Sequence, residues 1–230
     1  MKKIIILHGW TQNLDKWREF LQVLEKSGIT YILPKIPGLT ESLEKVWGLS
    51  DYVNWLKNIV EKEKEKVVLV GHSNGGRIAL AFANLFPEKV EKLILIDSAG
   101  IYHNELPLKI KRAVFKTIAK IGKRITSSKT LKNLLYKFAG ESDYKSLNEN
   151  VKQTMINLIS SDLKSILPKI ETSTLIIWGR EDKITPLSNG ILMNSLIKNS
   201  RLEIIDNARH SPMFTNPKHV ADLIINNLTI

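Results

Sequence analysis

Three observations predict an α/β chain built on a mostly or wholly parallel sheet of about six strands. Short β-branched runs alternate with helical patterns along most of the chain. Four of the six runs are apolar almost throughout, as strands are when both faces of a parallel sheet are covered. Strand and helix follow one another strictly until about residue 100, which is the signature of βαβ units in a doubly wound sheet.

The predicted strands are Lys3–Leu7, Thr30–Leu33, Val67–Val70, Lys92–Ile96, Thr174–Trp178 and Arg201–Ile205. Between them, Trp17–Ser27, Leu49–Glu63 and Arg77–Phe86 carry apolar residues at three- and four-residue spacing and read as helices. A final helical segment follows the last strand and carries His219, which is expected at the surface.

The rhythm breaks once. From Ile101 to about Leu167 there is no strand, only lysine-rich helical patterns. Ile110, Val114, Ile118, Ile121 and Ile125 form one apolar stripe; Leu131, Leu134, Leu135 and Phe138 suggest a second helix, and Leu147, Val151, Met155 and Leu158 a third. The division expected is a core of residues 1–100 and 168–230, with a helical cap of residues 101–167 inserted into it.

Composition narrows the function classes. At 230 residues with 43% hydrophobic and 25% charged residues, the chain sits near the globular norm. There is no cysteine, which removes thiol nucleophiles, disulfides and Cys-based zinc sites together. No spacing of histidines and carboxylates suggests a metal, and no cofactor motif is present. The Ile4–Leu7 run is too short for a secretory leader, which needs an apolar core of roughly 7–15 residues, and nothing approaches the ~18 of a membrane span. The expectation is a cytoplasmic protein, monomer or homodimer, that binds neither nucleic acid nor the membrane interior.

Charge is uneven. Of the net +11, residues 101–160 contribute +8, from 12 Lys/Arg against 4 Asp/Glu. Three readings stand: steering of an anionic or carrier-linked substrate, contact with anionic lipid, or a solvated helical face.

The chemistry is concentrated at strand ends. Gly71-His72-Ser73-Asn74-Gly75 is a G-x-S-x-G that follows a predicted strand and opens a helix, the context a nucleophile elbow requires. A serine hydroxyl needs a base. Of five histidines, His210 lies in the loop after the last strand, at the sheet edge where active sites gather. His72 follows the elbow's geometry away from the serine, and His8 is expected to be structural. His103 has no assigned role. Asp182, after the preceding strand, is the expected orienting acid; Asp97 is a rival strand-end position and Glu181 a weaker one. Backbone N–H groups of Asn74 and of Trp10, in the His8-Gly9-Trp10-Thr11 loop, are the expected oxyanion donors.

These motifs resemble those of the α/β-hydrolase superfamily, and specifically the small bacterial carboxylesterases of the pimeloyl-carrier-protein methyl ester esterase and meta-cleavage hydrolase branch. The matching stretches are LHGW at 7–10, PG at 37–38, GHSNGG at 71–76, LILIDSAG at 93–100, WGREDKITP at 178–186 and NARHSPMFTNP at 207–217. The resemblance implies Ser73 as nucleophile, Asp182 as acid, His210 as base and Trp10 and Asn74 as oxyanion donors. It also implies a serine esterase for small to medium acyl groups without cofactor or metal. Two alternatives remain: a C–C bond hydrolase of meta-cleavage-type diketones, or a hydrolase-fold binding protein with little turnover. Relatives usually carry one or two strands before the HG loop, so the sheet is expected to be trimmed. Lys35 and Arg209 also depart from the family pattern, the latter replacing the usual glycine before the base.

Overall fold

The computed structural model describes residues 3–11, 13–102 and 147–228. Within these, six strands form one sheet: β1 (Ile4–Leu7), β2 (Tyr31–Ile32), β3 (Val67–His72), β4 (Val90–Ile96), β5 (Ser173–Gly179) and β6 (Ser200–Ile205). The order across the sheet is β2-β1-β3-β4-β5-β6, and every pairing is parallel. The described helices are α1 (Arg18–Lys26), α2 (Leu49–Val60), α3 (Asn74–Leu85), α4 (Glu149–Ser160), α5 (Leu187–Leu196), α6 (Pro212–Thr215) and α7 (Pro217–Leu228).

Alternation along the strands divides the core in two. Ile5, Leu7, Leu69, Leu93 and Leu95 face a cluster with Tyr52, Leu56 and Phe82 from α2 and α3. Ile4, Ile6, Val68, Val70, Ile94 and Ile96 face the opposite cluster, with Phe20 and Leu24 of α1 and Val220 and Ile224 of α7. Both faces are therefore covered, which is why these strands read as continuous apolar runs rather than as alternating ones. The edge strand β2 is only two residues long, shorter than its apolar pattern.

The connections after β1 run to one side and those after β2 return to the other, so the strand order reverses between β1 and β3. In an open parallel sheet this switch point leaves a crevice beyond the carboxyl ends of the strands. The loops carrying Trp10 and Ser73 leave β1 and β3 at that crevice.

Of the three helices expected between β4 and β5, the third is α4, which buries Val151, Met155 and Leu158. The first two, with the isoleucine stripe and most of the lysines, lie outside the described residues, as does His103. No helix among the described residues is long and apolar enough to cross a membrane.

Candidate active site

Ser73 caps α3 with φ 52° and ψ −118°, a conformation that L residues rarely adopt. The tertiary structure holds it there. Its N–H donates to the Ile96 carbonyl, and its own carbonyl accepts from the Gly76 and Ala99 N–H groups. Gly75 is dictated by close approach, since a Cβ there would lie 2.0 Å from the Leu7 carbonyl oxygen. The helix start thus presses against the end of β1, and a side chain at this position would push the elbow off the sheet.

The Ser73 hydroxyl stands 2.9 Å from His210 Nε2. On the other side of the ring, His210 Nδ1 lies 2.8 Å from Asp182 Oδ2. An Nδ1–H that donates to the carboxylate leaves Nε2 as the acceptor for the serine proton. Three residues from three strand ends, after β3, β5 and β6, are therefore brought into one relay. The Asp182 side chain is fully buried and that of His210 is 16% exposed.

Burial by itself would push the Asp182 carboxyl up. The hydrogen bond and charge of His210 outweigh it, helped by Thr185 and the Ile184 N–H, and the pKa ends below the usual carboxylate range. Asp182 Oδ1 accepts from the backbone N–H groups of Ile184 and Thr185, while Thr185 Oγ1 lies 2.6 Å from Asp182 Oδ2 and 3.0 Å from the Asp97 carbonyl oxygen. Thr185 was not singled out from sequence. Its one legible signal is the Asp-x-x-Thr turn, in which the aspartate caps the backbone two and three residues on.

The rival acids are placed elsewhere. Asp97 is fully buried at the end of β4 with φ 42°, and its Oδ1 accepts the Gly179 N–H at 2.8 Å. Burial, and then the nearby Asp182 charge, push its carboxyl well above the usual range despite that bond. Glu181 turns outward to Arg209, 4.0 Å away, and the Arg209 side chain is 84% exposed.

His72 does point away from Ser73, but it is not idle. Its Nε2 lies 2.8 Å from the His210 carbonyl oxygen, its ring lies tilted against that of His210 with centroids 5.1 Å apart, and burial pushes its pKa down to about 3. It is a neutral donor that tethers the His210 loop to β3. His8 is fully buried under the first loop, with Nδ1 against the Gly9 carbonyl and Nε2 3.3 Å from Thr40 Oγ1, and His219 is exposed.

Side-chain atoms of His72, Asp97 and His210 lie within 4.8 Å of one another, a spacing a metal could use. Both His210 nitrogens and His72 Nε2 are already committed to hydrogen bonds, which makes the cluster a hydrogen-bonded network rather than a ligand set.

Gly9 brings the first loop against the nucleophile: a Cβ on Gly9 would lie 2.9 Å from Ser73 Cβ. Trp10 follows it. Beside this contact is a cleft of about 190 Å³, lined by Trp10, Thr11, Lys16, Ser73, His210 and Phe214 among others. A buried serine relay opening on a cleft of this size suits attack on a small electrophile.

Comparisons with known proteins bear on the family and the fold. A family model described as alpha/beta hydrolase fold matches residues 2–161 and 103–217. A 2-hydroxy-6-oxononadienedioate/2-hydroxy-6-oxononatrienedioate hydrolase of Pseudomonas putida is 27% identical over 90% of this chain and 81% of its own. The monoacylglycerol lipase ABHD6 of Homo sapiens is 25% identical over 96% of this chain and 74% of its own. Among solved structures, MGS-MChE2, an alpha/beta hydrolase enzyme from a lagoon-sediment metagenome, superposes with a TM-score of 0.73 at 25% identity, covering 99% of this chain and 90% of that one. With the family model spanning most of the sequence and the six-stranded parallel sheet beneath it, this chain belongs to the α/β-hydrolase family.

Proposed function

We propose that the protein is a serine esterase that cleaves carboxylic esters of small to medium acyl groups through an acyl-enzyme on Ser73. The observation that carries this reading is the continuous relay Ser73–His210–Asp182, with contacts of 2.9 and 2.8 Å. His210 Nε2 takes the Ser73 proton as Oγ attacks the ester carbonyl, and Asp182 stabilises the imidazolium that forms. The backbone N–H groups of Trp10 and Asn74 receive the developing oxyanion. His210 then protonates the departing alcohol and activates the water that releases the acid.

Ser73→Ala should lower kcat on p-nitrophenyl acetate or butyrate by roughly 10⁴–10⁶-fold while the circular dichroism spectrum is unchanged. Turnover retained by that variant would overturn the mechanism.

The relay also suits hydrolysis of a C–C bond in a vinylogous diketone, the reading favoured by the likeness to the Pseudomonas putida hydrolase. Parallel assays of an ester and a meta-cleavage-type dienoate separate the two. Stoichiometric acylation of Ser73 without turnover would instead indicate a binding protein on this fold.

A further inference from the structure

Thr185 places a hydroxyl at the junction of acid and base. It follows Asp182 by three residues in the loop after β5 and is only 3% exposed. Its Oγ1 lies 2.6 Å from Asp182 Oδ2, 3.0 Å from the Asp97 carbonyl oxygen and 3.2 Å from His210 Nδ1. Asp182 Oδ2 and His210 Nδ1 are themselves 2.8 Å apart, so the hydroxyl closes a triangle on the bond between acid and base.

A threonine hydroxyl has one proton to give and lone pairs to offer. Two acceptors compete for that proton, and the ionised one takes it, because a carboxylate and a hydroxyl oxygen 2.6 Å apart need a hydrogen between them. The Asp97 carbonyl, at the longer distance, receives the weaker share. The lone pairs of Oγ1 are then left facing His210 Nδ1. Both atoms that approach Nδ1 are therefore acceptors, which keeps the ring proton there and leaves Nε2 to accept from Ser73.

The two carboxylate oxygens of Asp182 are held differently. Oδ1 accepts from the backbone N–H groups of Ile184 and Thr185, contacts that survive any side chain at 185. Oδ2, the oxygen that faces the base, has two partners among the described residues, His210 Nδ1 and the Thr185 hydroxyl.

We propose that Thr185 is a positioning residue of the relay, its hydroxyl holding Asp182 Oδ2 against His210 Nδ1 so that Nε2 stays aimed at Ser73. The proposal rests on the reading of Ser73 as a nucleophile activated by His210. Thr185 does not line the cleft beside Ser73, so its effect belongs to the step that forms the imidazolium and not to substrate binding.

Thr185→Ala and Thr185→Ser isolate the hydroxyl: both variants lose the methyl group, and only alanine loses the oxygen. On p-nitrophenyl butyrate, Thr185→Ala should lower kcat by roughly 10–30-fold, the scale of one hydrogen bond to a charged group, with KM within about twofold of wild type. Thr185→Ser should recover kcat to within about threefold of wild type. Equal losses in the two variants would assign the effect to packing of the methyl group and overturn the proposal, as would a change confined to KM.

A second readout is independent of the natural substrate. A fluorophosphonate labels an activated serine by forming an Oγ–P bond and expelling fluoride, while the hydroxyl proton passes to the base. Labelling of Ser73, followed by mass, should be about tenfold slower in Thr185→Ala than in wild type or Thr185→Ser. Equal rates in Thr185→Ala and wild type remove the positioning role. If the wild-type protein is labelled but hydrolyses no ester, the esterase reading fails and the labelling rates alone decide the role of Thr185. A wild-type protein that is neither labelled nor active sinks both.

Discussion

Asp97 and Asp182 are neighbouring carboxyls that the site pushes in opposite directions. The Asp182 carboxyl is brought below the usual range by His210 and Thr185 against its burial; that of Asp97 is pushed above it by burial and by the Asp182 charge. The raised pKa of Asp97 has a consequence for stability. A carboxyl whose folded pKa lies above its unfolded value contributes stability that is full below the unfolded value, about 4, and is lost as pH rises through the folded one. Asp97→Asn removes that titration, keeps an acceptor for the Gly179 N–H, and suits a φ of 42°, which asparagine adopts more readily than most residues. The Tm of the variant relative to wild type should therefore rise with pH from 5 upward, by roughly 3–5 °C per pH unit within the window. A Tm difference that stays constant between pH 5 and 9 would mean that Asp97 is ionised in the fold.

Among the elements, β5 and the loop after β6 are the pair whose spacing sets the base. Gly179 ends β5 directly under residues 208–209, and a Cβ on it would lie 2.3 Å from the Arg209 carbonyl oxygen and 2.7 Å from that of Ala208. Backbone cannot yield there without carrying His210 with it. Gly179→Ala is expected to keep the far-ultraviolet spectrum and to lower kcat by about 10²-fold, the effect of displacing a catalytic group by about 1 Å. Wild-type kcat in that variant would show that the loop absorbs the side chain elsewhere.

The six strands and the order Ser73, Asp182, His210 were legible because each rests on a local pattern: an apolar run, a glycine-flanked serine, a polar loop at a strand end. What was not legible depends on contacts between distant parts of the chain. Thr185 matters because the Asp97 carbonyl, 88 residues away in sequence, lies beside it, and His72 because the His210 carbonyl, 138 residues away, comes down on it. Arg77 reads as an ordinary polar residue early in a helix. Its burial arises because α3 is enclosed on nearly every side from Asn74 to Ala83, which no periodicity within the helix reveals.

For the whole molecule, the net charge of +11 acts on charged substrates through its long-range field. On a sphere of ~20 Å radius that charge gives an attraction for a monoanion of about 1.4 kcal/mol at 0.01 M ionic strength and about half that at 0.15 M. The kcat/KM for monomethyl glutarate should therefore fall roughly threefold over that range, while methyl pentanoate, which carries no charge, should be unaffected. A flat salt profile for the anionic ester would assign the basic residues to a solvated face.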